Sequence, residues 1–313
     1  MPNVFGPVPS RRLGLSLGVD LIPCKTCTYN CLYCQVGETS FLKVRPEKFV
    51  SERVIINEIS EKLLNSTPDA ITFAGSGEPT LNSEIGKIIT SVKELSNIKV
   101  VVLTNGSLFW QEEVRKRVLM ADVIMPTLVS AFEDTFKCIH RPHPSLKLIN
   151  IIEGLRKLRG DYQGSLDLEV IFLEGLNDSE KEIIGLKMII DQIEPDKIQI
   201  NTVVRPPTNS KARPVPDKRL AEIMTYFGKK AEIITSSTLI GKERKEDLVI
   251  NNLLEMVRRR PLRAVDIAAS LNLSLKDVDG LVKGLLVKGY LRKQKHSEKD
   301  YFISNEKDTP IYK

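Results

Sequence analysis

The chain has 313 residues, of which 42% are hydrophobic and 27% are charged. This balance is typical of a soluble globular protein, and the length is sufficient for one large domain and one small domain. The formal net charge is only +6, and most of it lies in the C-terminal tail. Such a weak basic bias permits a nucleic-acid partner but does not require one.

The apolar runs in the chain are short. Residues 100–103 form one of the longest, far below the roughly 20 residues that a transmembrane helix needs. The opening Met1-Pro2-Asn3 does not begin a charged segment followed by an apolar stretch, as a secretory signal would. We therefore expect a cytoplasmic protein without a membrane partner, in which the five cysteines are kept as thiolates or metal ligands.

Short β-branched runs alternate with amphipathic stretches over most of the chain, which is typical of βα units around a parallel sheet. Between these runs, apolar residues recur at helical spacing over 47–65 and 83–95. Six such units fit an α/β fold, a partial (βα)6 barrel of the TIM type. The predicted strands cover residues 16–22, 70–73, 99–103, 123–128, 167–173 and 197–203, with a further short run at 232–235.

The composition changes at residues 241–247, a charged stretch that we interpret as a linker between domains of residues 1–240 and 248–313. The C-terminal domain shows three helical patterns followed by two β-prone pieces, and this order resembles a winged helix-turn-helix domain. The five pieces are 248–259, 264–271, a segment behind the N-cap candidate Ser274, 290–293 and 300–303.

Three cysteines follow the first predicted strand with the spacing Cys-x3-Cys-x2-Cys, namely Cys27, Cys31 and Cys34. Soft thiolates supplied by one short loop select an iron–sulfur cluster or zinc. A structural zinc site requires four protein ligands, and no second Cys or His pair with zinc-finger spacing follows. Three protein ligands fit a cubane cluster with one open iron; a zinc knuckle or buried thiols are the alternatives.

A glycine-rich stretch, Gly75-Ser76-Gly77-Glu78-Pro79, follows the second predicted strand. Glycines allow the backbone to approach a ligand closely, because no Cβ intervenes. The three cysteines, with Tyr33 before the last one, resemble the signature of radical S-adenosylmethionine (radical SAM) enzymes. The glycine-rich stretch is similar to the Gly-Gly-Glu-Pro segment of that family, with Ser76 in place of the first glycine.

This resemblance implies two cofactors, a [4Fe–4S] cluster held by Cys27, Cys31 and Cys34, and S-adenosylmethionine. It implies an enzyme that reductively cleaves S-adenosylmethionine, so that a 5′-deoxyadenosyl radical abstracts hydrogen from a substrate. An external donor such as flavodoxin or ferredoxin supplies the electron. The cofactor does the hard chemistry, and no catalytic side chain is assigned. The implied cofactor contacts are Tyr33, Gly75, Ser76, Gly77, Glu78, Pro79, Asn105, Thr127 and Ser130.

Further segments resemble the stand-alone Fe–S oxidoreductases grouped with wyosine synthases. These segments are 4–20, 103–106, 136–144 and 201–207. In that group the fourth strand usually ends Pro-Ser-Leu-Asp-Ala, whereas this chain has Thr127 for the serine and Val129 for the aspartate. The loss of that carboxylate weakens the resemblance at the ribose or substrate contact. Wyosine synthases also carry an additional cysteine set, which Cys24 and Cys138 do not supply, so their specific reaction is not expected here.

Several cationic side chains near the predicted barrel mouth suit an anionic substrate, since guanidinium groups bind phosphate or carboxylate and histidine can move protons. Each also has a structural interpretation, as a loop or surface residue. The candidate substrate residues are Arg11, Arg12, His140, Arg141, His143 and Arg205.

The predicted C-terminal domain has basic residues at its hairpin and at 258–260, which suit RNA or a peptide substrate. A module that caps the barrel or forms a dimer is the structural alternative, and the oligomeric state stays open. A second class of function is an iron–sulfur winged-helix regulator that senses redox state or iron. The glycine-rich stretch favours the enzyme, since a sensor needs no cradle for the amino group of a cofactor.

Overall fold

The computed structural model describes residues 2–234, 246–271 and 273–305. Within these ranges, no helix is both long and apolar enough to cross a membrane. The strands are β1 (Val4–Ser10), β2 (Gly14–Val19), β3 (Thr26–Cys27), β4 (Phe41–Leu42), β5 (Ala70–Phe73), β6 (Lys99–Thr104), β7 (Val123–Leu128), β8 (Ser165–Phe172), β9 (Lys197–Thr202), β10 (Ala231–Ile233), β11 (Leu291–His296) and β12 (Lys299–Ser304).

The helices mostly alternate with these strands. They are α1 (Glu52–Leu63), α2 (Ile85–Leu95), α3 (Glu112–Val118), α4 (Glu133–His140), α5 (Leu148–Asp161), α6 (Glu180–Ile193), α7 (Asp217–Phe227), α8 (Glu246–Arg259), α9 (Ala264–Leu271) and α10 (Leu275–Val287), with short 3-10 turns at Pro79–Leu81 and Gly228–Lys230.

The main sheet has the strand order β1-β2-β5-β6-β7-β8-β9-β10. From β2 to β10 each neighbouring pair is parallel, whereas β1 pairs antiparallel with β2. Among the described residues, the two edge strands do not pair with each other, so the sheet stays open. An open, mostly parallel sheet with crossover helices confirms the predicted α/β fold of the partial-barrel type.

The first strand of the structure differs from the strands predicted from the sequence. β1 was not among the predicted strands; it contains Pro7 and Pro9 and lies at the edge of the sheet, where proline is tolerated because it cannot donate to a ladder. The predicted strand 16–22 lies instead over Gly14–Val19, as the partner of β1. The run predicted at 232–235 lies over Ala231–Ile233, and residue 235 is outside the described residues.

The two faces of the sheet differ in chemistry. On the outer face, helices bury apolar stripes such as Ile55 and Ile59 of α1, and burying each such side chain contributes about 1.5–3 kcal/mol. Along β8 and β9, by contrast, alternate positions are polar and buried. These positions are Asp167, Glu169, Gln199 and Asn201. Because side chains alternate between faces with a period of two, these groups point together into the barrel.

We call the described residues 246–271 and 273–305 the C-terminal unit. Its helices α8 and α9 contact β1, and Phe5 and Val8 of β1 belong to the same apolar core as Leu253 of α8. The hydroxyl of Tyr301 on β12 donates a hydrogen bond to the carbonyl of Val204, just after β9. The C-terminal unit therefore contacts both sides of the open part of the barrel.

The predicted boundary of this unit stays a prediction. Of the predicted linker 241–247, residues 241–245 lie outside the described residues, and α8 already begins at Glu246. The predicted N-cap at Ser274 is confirmed, since its side chain accepts a 3.2 Å hydrogen bond from the backbone N–H of Asp277. The interpretation of the unit as a winged helix stays a prediction.

Candidate active site

A cavity of about 380 Å³ lies inside the barrel, where the loops after the strands meet. The loop after β2 supplies the three cysteines, and the loop after β5 supplies Gly75, Gly77 and Glu78. Arg259 and Arg260 reach the same cavity from the end of α8. Active sites of barrels lie at the carboxyl ends of the strands, so this cavity is the candidate active site.

Cys27, Cys31 and Cys34 all line this cavity as free thiols. Burial raises the pKa of the Cys27 thiol to about 12, and burial also raises the pKa values of Cys31 and Cys34. Buried thiolates need compensating positive charge, which a bound metal supplies. Within the described ranges, no three Cys, His, Asp or Glu side chains converge as the ligands of a single metal ion do. Three thiols in the wall of one cavity fit the three protein ligands of an iron–sulfur cluster.

The glycine-rich loop lies directly against the cysteine loop. A Cβ added at Gly77 would lie 1.8 Å from the carbonyl oxygen of Thr26, and one added at Gly75 would lie 2.3 Å from the Asp20 carboxyl carbon. The backbone N–H of Lys25 donates to the carbonyl of Ser76 at 2.9 Å. These contacts favour glycine at both positions, because a Cβ at 77 would displace the backbone next to Cys27 and a Cβ at 75 would displace the Asp20 carboxylate.

Glu78 connects the glycine-rich loop to the end of β6. Its carboxylate is buried and accepts hydrogen bonds from the hydroxyls of Thr80 and Thr104 at 2.6 Å, and from the Asn105 backbone N–H at 2.7 Å. Burial raises the pKa of Glu78, although these hydrogen bonds act in the opposite direction. Asn105 in turn donates from its side chain to the Cys27 sulfur at 3.6 Å. The cavity wall is therefore a connected polar network.

Tyr33 lines the cavity, and its orientation depends on His140. The Tyr33 hydroxyl lies 2.8 Å from His140 Nε2, and the His140 ring stacks on Tyr29 with a centroid distance of 4.5 Å. Burial lowers the pKa of His140 to about 3, so the ring is neutral at physiological pH. The predicted substrate residue His140 therefore supports Tyr33 from behind the cavity wall.

Four other predicted site residues lie outside the wall of this cavity. Arg141 is the left-handed C-cap of α4, with φ of 45°, and the His143 ring lies 2.9 Å from the Ser145 hydroxyl. Ser130 donates to Glu182 at 2.7 Å on the far side of the loop after β7. Pro79 opens a buried 3-10 turn behind Glu78. The structure does not bring these residues to the candidate site.

Ser76 also turns away from the cavity. Its backbone N–H and its hydroxyl both donate to Asp20 Oδ2, at 3.0 and 2.6 Å. The same Asp20 oxygen forms an ion pair with Arg259 at 2.8 Å. Asp20 therefore ties the glycine-rich loop to the C-terminal unit, a role that the sequence did not indicate.

The remaining predicted residues do meet in the cavity wall. Arg11, Arg12, Thr127 and Arg205 line it, and Thr127 donates to the buried Glu169 at 3.0 Å. Glu169 was missed in the sequence analysis. The alternation of polar residues along two otherwise apolar strands, at 167 and 169 and at 199 and 201, was the signal that could have identified it.

Comparison with known proteins decides the family. Residues 21–186 match the model of the radical SAM superfamily, a range that contains the cysteine motif and the glycine-rich loop. The chain belongs to the radical SAM superfamily. The predicted enzyme class is thereby confirmed, together with its cofactors, a [4Fe–4S] cluster and S-adenosylmethionine. The regulator alternative has no support from these matches.

The radical SAM chain has relatives over nearly its full length. It is 33% identical to the UPF0026 protein MJ1312 of Methanocaldococcus jannaschii, over 98% of this chain and 97% of that protein. It is 37% identical to a protein of Brachyspira hyodysenteriae named GTPase Obg, over 93% of this chain, yet it spans only 44% of that protein.

Solved structures share the fold at low sequence identity. A radical SAM methyltransferase from Sphaerobacter thermophilus superposes with a TM-score of 0.54 and 15% identity, over 70% of this chain and 65% of that one. TYW1 with a lysine–pyruvate adduct superposes with a TM-score of 0.53 and 14% identity, over 78% and 80% of the two chains. These likenesses support the partial-barrel fold.

Proposed function

We propose that this radical SAM enzyme holds its cluster through Cys27, Cys31 and Cys34 and binds S-adenosylmethionine in the cavity beside them, to activate a C–H bond of a substrate. The observation that carries the proposal is the shared cavity. The three thiols, the glycine-rich loop and Asn105 all form its wall, although they come from three different strand-to-helix loops.

The donor set around the cavity suits the amino-acid part of the cofactor. Gly75 and Gly77 bring backbone close to the cysteine loop, and Glu78 Oε2 accepts only the Asn105 N–H among the described residues. A carboxylate oxygen has two lone pairs, so Glu78 Oε2 has capacity for an ammonium group. Asn105 and Thr127 contribute hydrogen-bonding groups to the same wall.

Part of the cavity wall is apolar. Tyr33, Ile171 and Val203 line the cavity and also belong to one apolar cluster with Leu32. An aromatic ring next to aliphatic side chains suits an adenine base and excludes water from the site. The hydrogen bond between Tyr33 and His140 fixes the Tyr33 ring in that wall.

When bound, the cluster and S-adenosylmethionine supply one-electron chemistry that generates a carbon-centred radical. The chain itself binds and orients both groups and keeps water out. A reductant is needed, and we propose an external donor such as ferredoxin or flavodoxin in the cytoplasm. RNA and a peptide are both candidate substrates, and the wyosine-synthase-like group is the proposed placement within the superfamily.

The test is reconstitution under anaerobic conditions with iron and sulfide, followed by dithionite and S-adenosylmethionine. We expect wild-type protein to release 5′-deoxyadenosine, measured by liquid chromatography. The Cys31→Ala variant should form none and should bind less iron per chain. Cys138→Ala is the matched control, since this thiol is exposed on α4, and it should behave as wild type. A wild-type chain with a full, reducible cluster that yields no 5′-deoxyadenosine would contradict the proposal.

A further inference from the structure

Five arginines line the candidate active site, and two of them are neutralised. Arg12 pairs with Glu169 at 2.5 Å, and Arg259 pairs with Asp20 at 2.8 Å. Both carboxylates are buried. These two ion pairs are therefore structural, and they leave the other three arginines to be explained.

Arg11, Arg205 and Arg260 contact only neutral acceptors in the described part of the chain. Arg11 donates to the Asn201 side-chain oxygen at 2.9 Å, and Arg205 donates to the Gln35 side-chain oxygen at 3.3 Å. Arg260 donates to a backbone carbonyl at 3.3 Å, and its buried Nε has no hydrogen-bond partner among the described residues. Each guanidinium carries five N–H donors, so most of these donors are unused.

The three guanidiniums are also close enough to repel one another. Burial lowers the pKa of Arg11 to about 10, with Arg205 and Arg12 adding to the effect. Burial lowers the pKa of Arg260 to about 9, with Arg205 and Arg11 adding to it. Two carboxylates act in the opposite direction, Glu169 on Arg11 and Asp266 on the other two arginines. Each of them is already paired with a further arginine, Glu169 with Arg12 and Asp266 with Arg263. The excess of positive charge that remains in this partly buried wall is costly unless an anion binds to it.

We propose that Arg11, Arg205 and Arg260 bind the terminal phosphate group of a small-molecule substrate. This inference rests on the proposed function, and for the same site it names a phosphorylated small molecule in place of the RNA or peptide substrates given above. A carboxylate has two oxygens and one charge, which a single bidentate arginine satisfies. A phosphate monoester has three terminal oxygens and nearly two charges, which matches three guanidiniums.

The position of the arginines fits a substrate that lies beside the cofactor. Arg11 and Arg205 also line a second cavity of about 420 Å³, which borders the first and is walled by Tyr301 of the C-terminal unit. Arg260 is the residue that follows α8, in the C-terminal unit. The phosphate site is therefore complete only when the C-terminal unit is packed on the barrel. Cavities of this volume have the size of small-molecule sites, which favours a small molecule over an RNA backbone.

Thermal unfolding of the full-length protein, reconstituted anaerobically, tests the proposal with inorganic phosphate as the probe. Any anion that binds only the folded state raises the unfolding temperature. We expect phosphate to raise this temperature for wild type and acetate at equal ionic strength to raise it much less. Calorimetric titration should show at least about tenfold weaker phosphate binding for Arg260→Gln and Arg11→Gln. Arg260→Lys should bind phosphate with intermediate affinity.

Arg292→Gln is the matched control, because Arg292 is an exposed arginine on β11 of the same unit, and it should bind phosphate as wild type does. Equal phosphate binding by wild type and Arg260→Gln would overturn the proposal. So would acetate binding as tight as phosphate, or an equal loss in Arg292→Gln. A short RNA without a terminal phosphate that binds as tightly as phosphate would also overturn it, in favour of RNA.

The proposed function and the phosphate site can be refuted independently of each other. 5′-Deoxyadenosine formation by wild type without phosphate binding would refute the phosphate site and leave the proposed function standing. Phosphate binding that Arg260→Gln weakens, without 5′-deoxyadenosine formation by a protein with a full cluster, would support the phosphate site and refute the function.

Discussion

Asp20 is the point where the barrel, the glycine-rich loop and the C-terminal unit meet. Its carboxylate accepts hydrogen bonds from Ser76 and pairs with Arg259, and the two charged side chains are only 7% and 8% exposed. The Arg259 guanidinium also lies 4.2 Å above the Phe5 ring. The Asp20→Asn change keeps the shape of the side chain and removes its charge, so Arg259 would lie buried without a counter-charge.

Removing one partner of a buried ion pair costs about 3–5 kcal/mol of unfolding free energy. We expect a loss of this size for Asp20→Asn, measured by urea denaturation. A double-mutant cycle with Arg259→Gln should give a coupling energy of about 2 kcal/mol or more, because the double variant no longer leaves a single charge buried. Since Asp20 also holds Ser76, the affinity for S-adenosylmethionine should fall as well.

The Asp279–Lys283 pair provides the matched control. It is also an Asp–cation pair, at 2.6 Å, but its side chains are 62% and 71% exposed. Water and salt screen such a pair, so the same cycle there should show little coupling. A coupling energy for Asp20 and Arg259 no larger than that of the control pair would refute the reasoning.

Three further changes test other parts of the structure. Gly77→Ala should reduce iron content and 5′-deoxyadenosine formation, because its Cβ would lie 1.8 Å from the Thr26 carbonyl, next to Cys27. Leu253→Ala should cost about 2–5 kcal/mol in urea denaturation, because this fully buried side chain joins the C-terminal unit to β1. Burial lowers the pKa of His140 to about 3 from 6.5, so below pH 6.5 the unfolded chain binds a proton that the folded protein does not bind. The free energy of unfolding that His140 contributes is therefore complete above pH 6.5 and falls as pH decreases. Wild type should lose about 2 kcal/mol more than His140→Gln between about pH 7 and about pH 5.

Each of these three predictions is checked against a control. Gly160→Ala lies on α5 with no atom within 4 Å of the new Cβ, and it should stabilise the protein by about 0.5–1 kcal/mol. Val287→Ala removes a side chain that is 89% exposed and should change stability little. Normal iron content in Gly77→Ala, a Leu253→Ala cost equal to that of Val287→Ala, or parallel pH profiles for wild type and His140→Gln would each contradict the corresponding argument.

The parts of the site that the sequence could predict are those encoded locally. The cysteine motif and the glycine-rich stretch each carry their chemistry in fewer than ten consecutive residues, and each follows a short segment predicted as a strand. Their meeting in one cavity follows from the parallel order of β2 and β5. Barrel topology alone brings such loops to one end.

The parts that could not be predicted depend on contacts between distant residues. Arg12 and Glu169 are 157 positions apart, and Asp20 and Arg259 are 239 apart. No local pattern tells which arginine finds a carboxylate and which does not. Ser130 shows that a local pattern can also mislead. It lies in a segment that resembles the family, yet its hydroxyl donates to Glu182 rather than lining the cavity.

The packing of the C-terminal unit on β1 has a consequence for how the chain is made. β1 leaves the ribosome some 240 residues before α8 (Glu246–Arg259), the helix whose Leu253 shares a core with Phe5 and Val8. Until translation reaches that helix, the apolar side chains of β1 lack their native cover. Such a transient surface is a natural place for a chaperone to bind during synthesis.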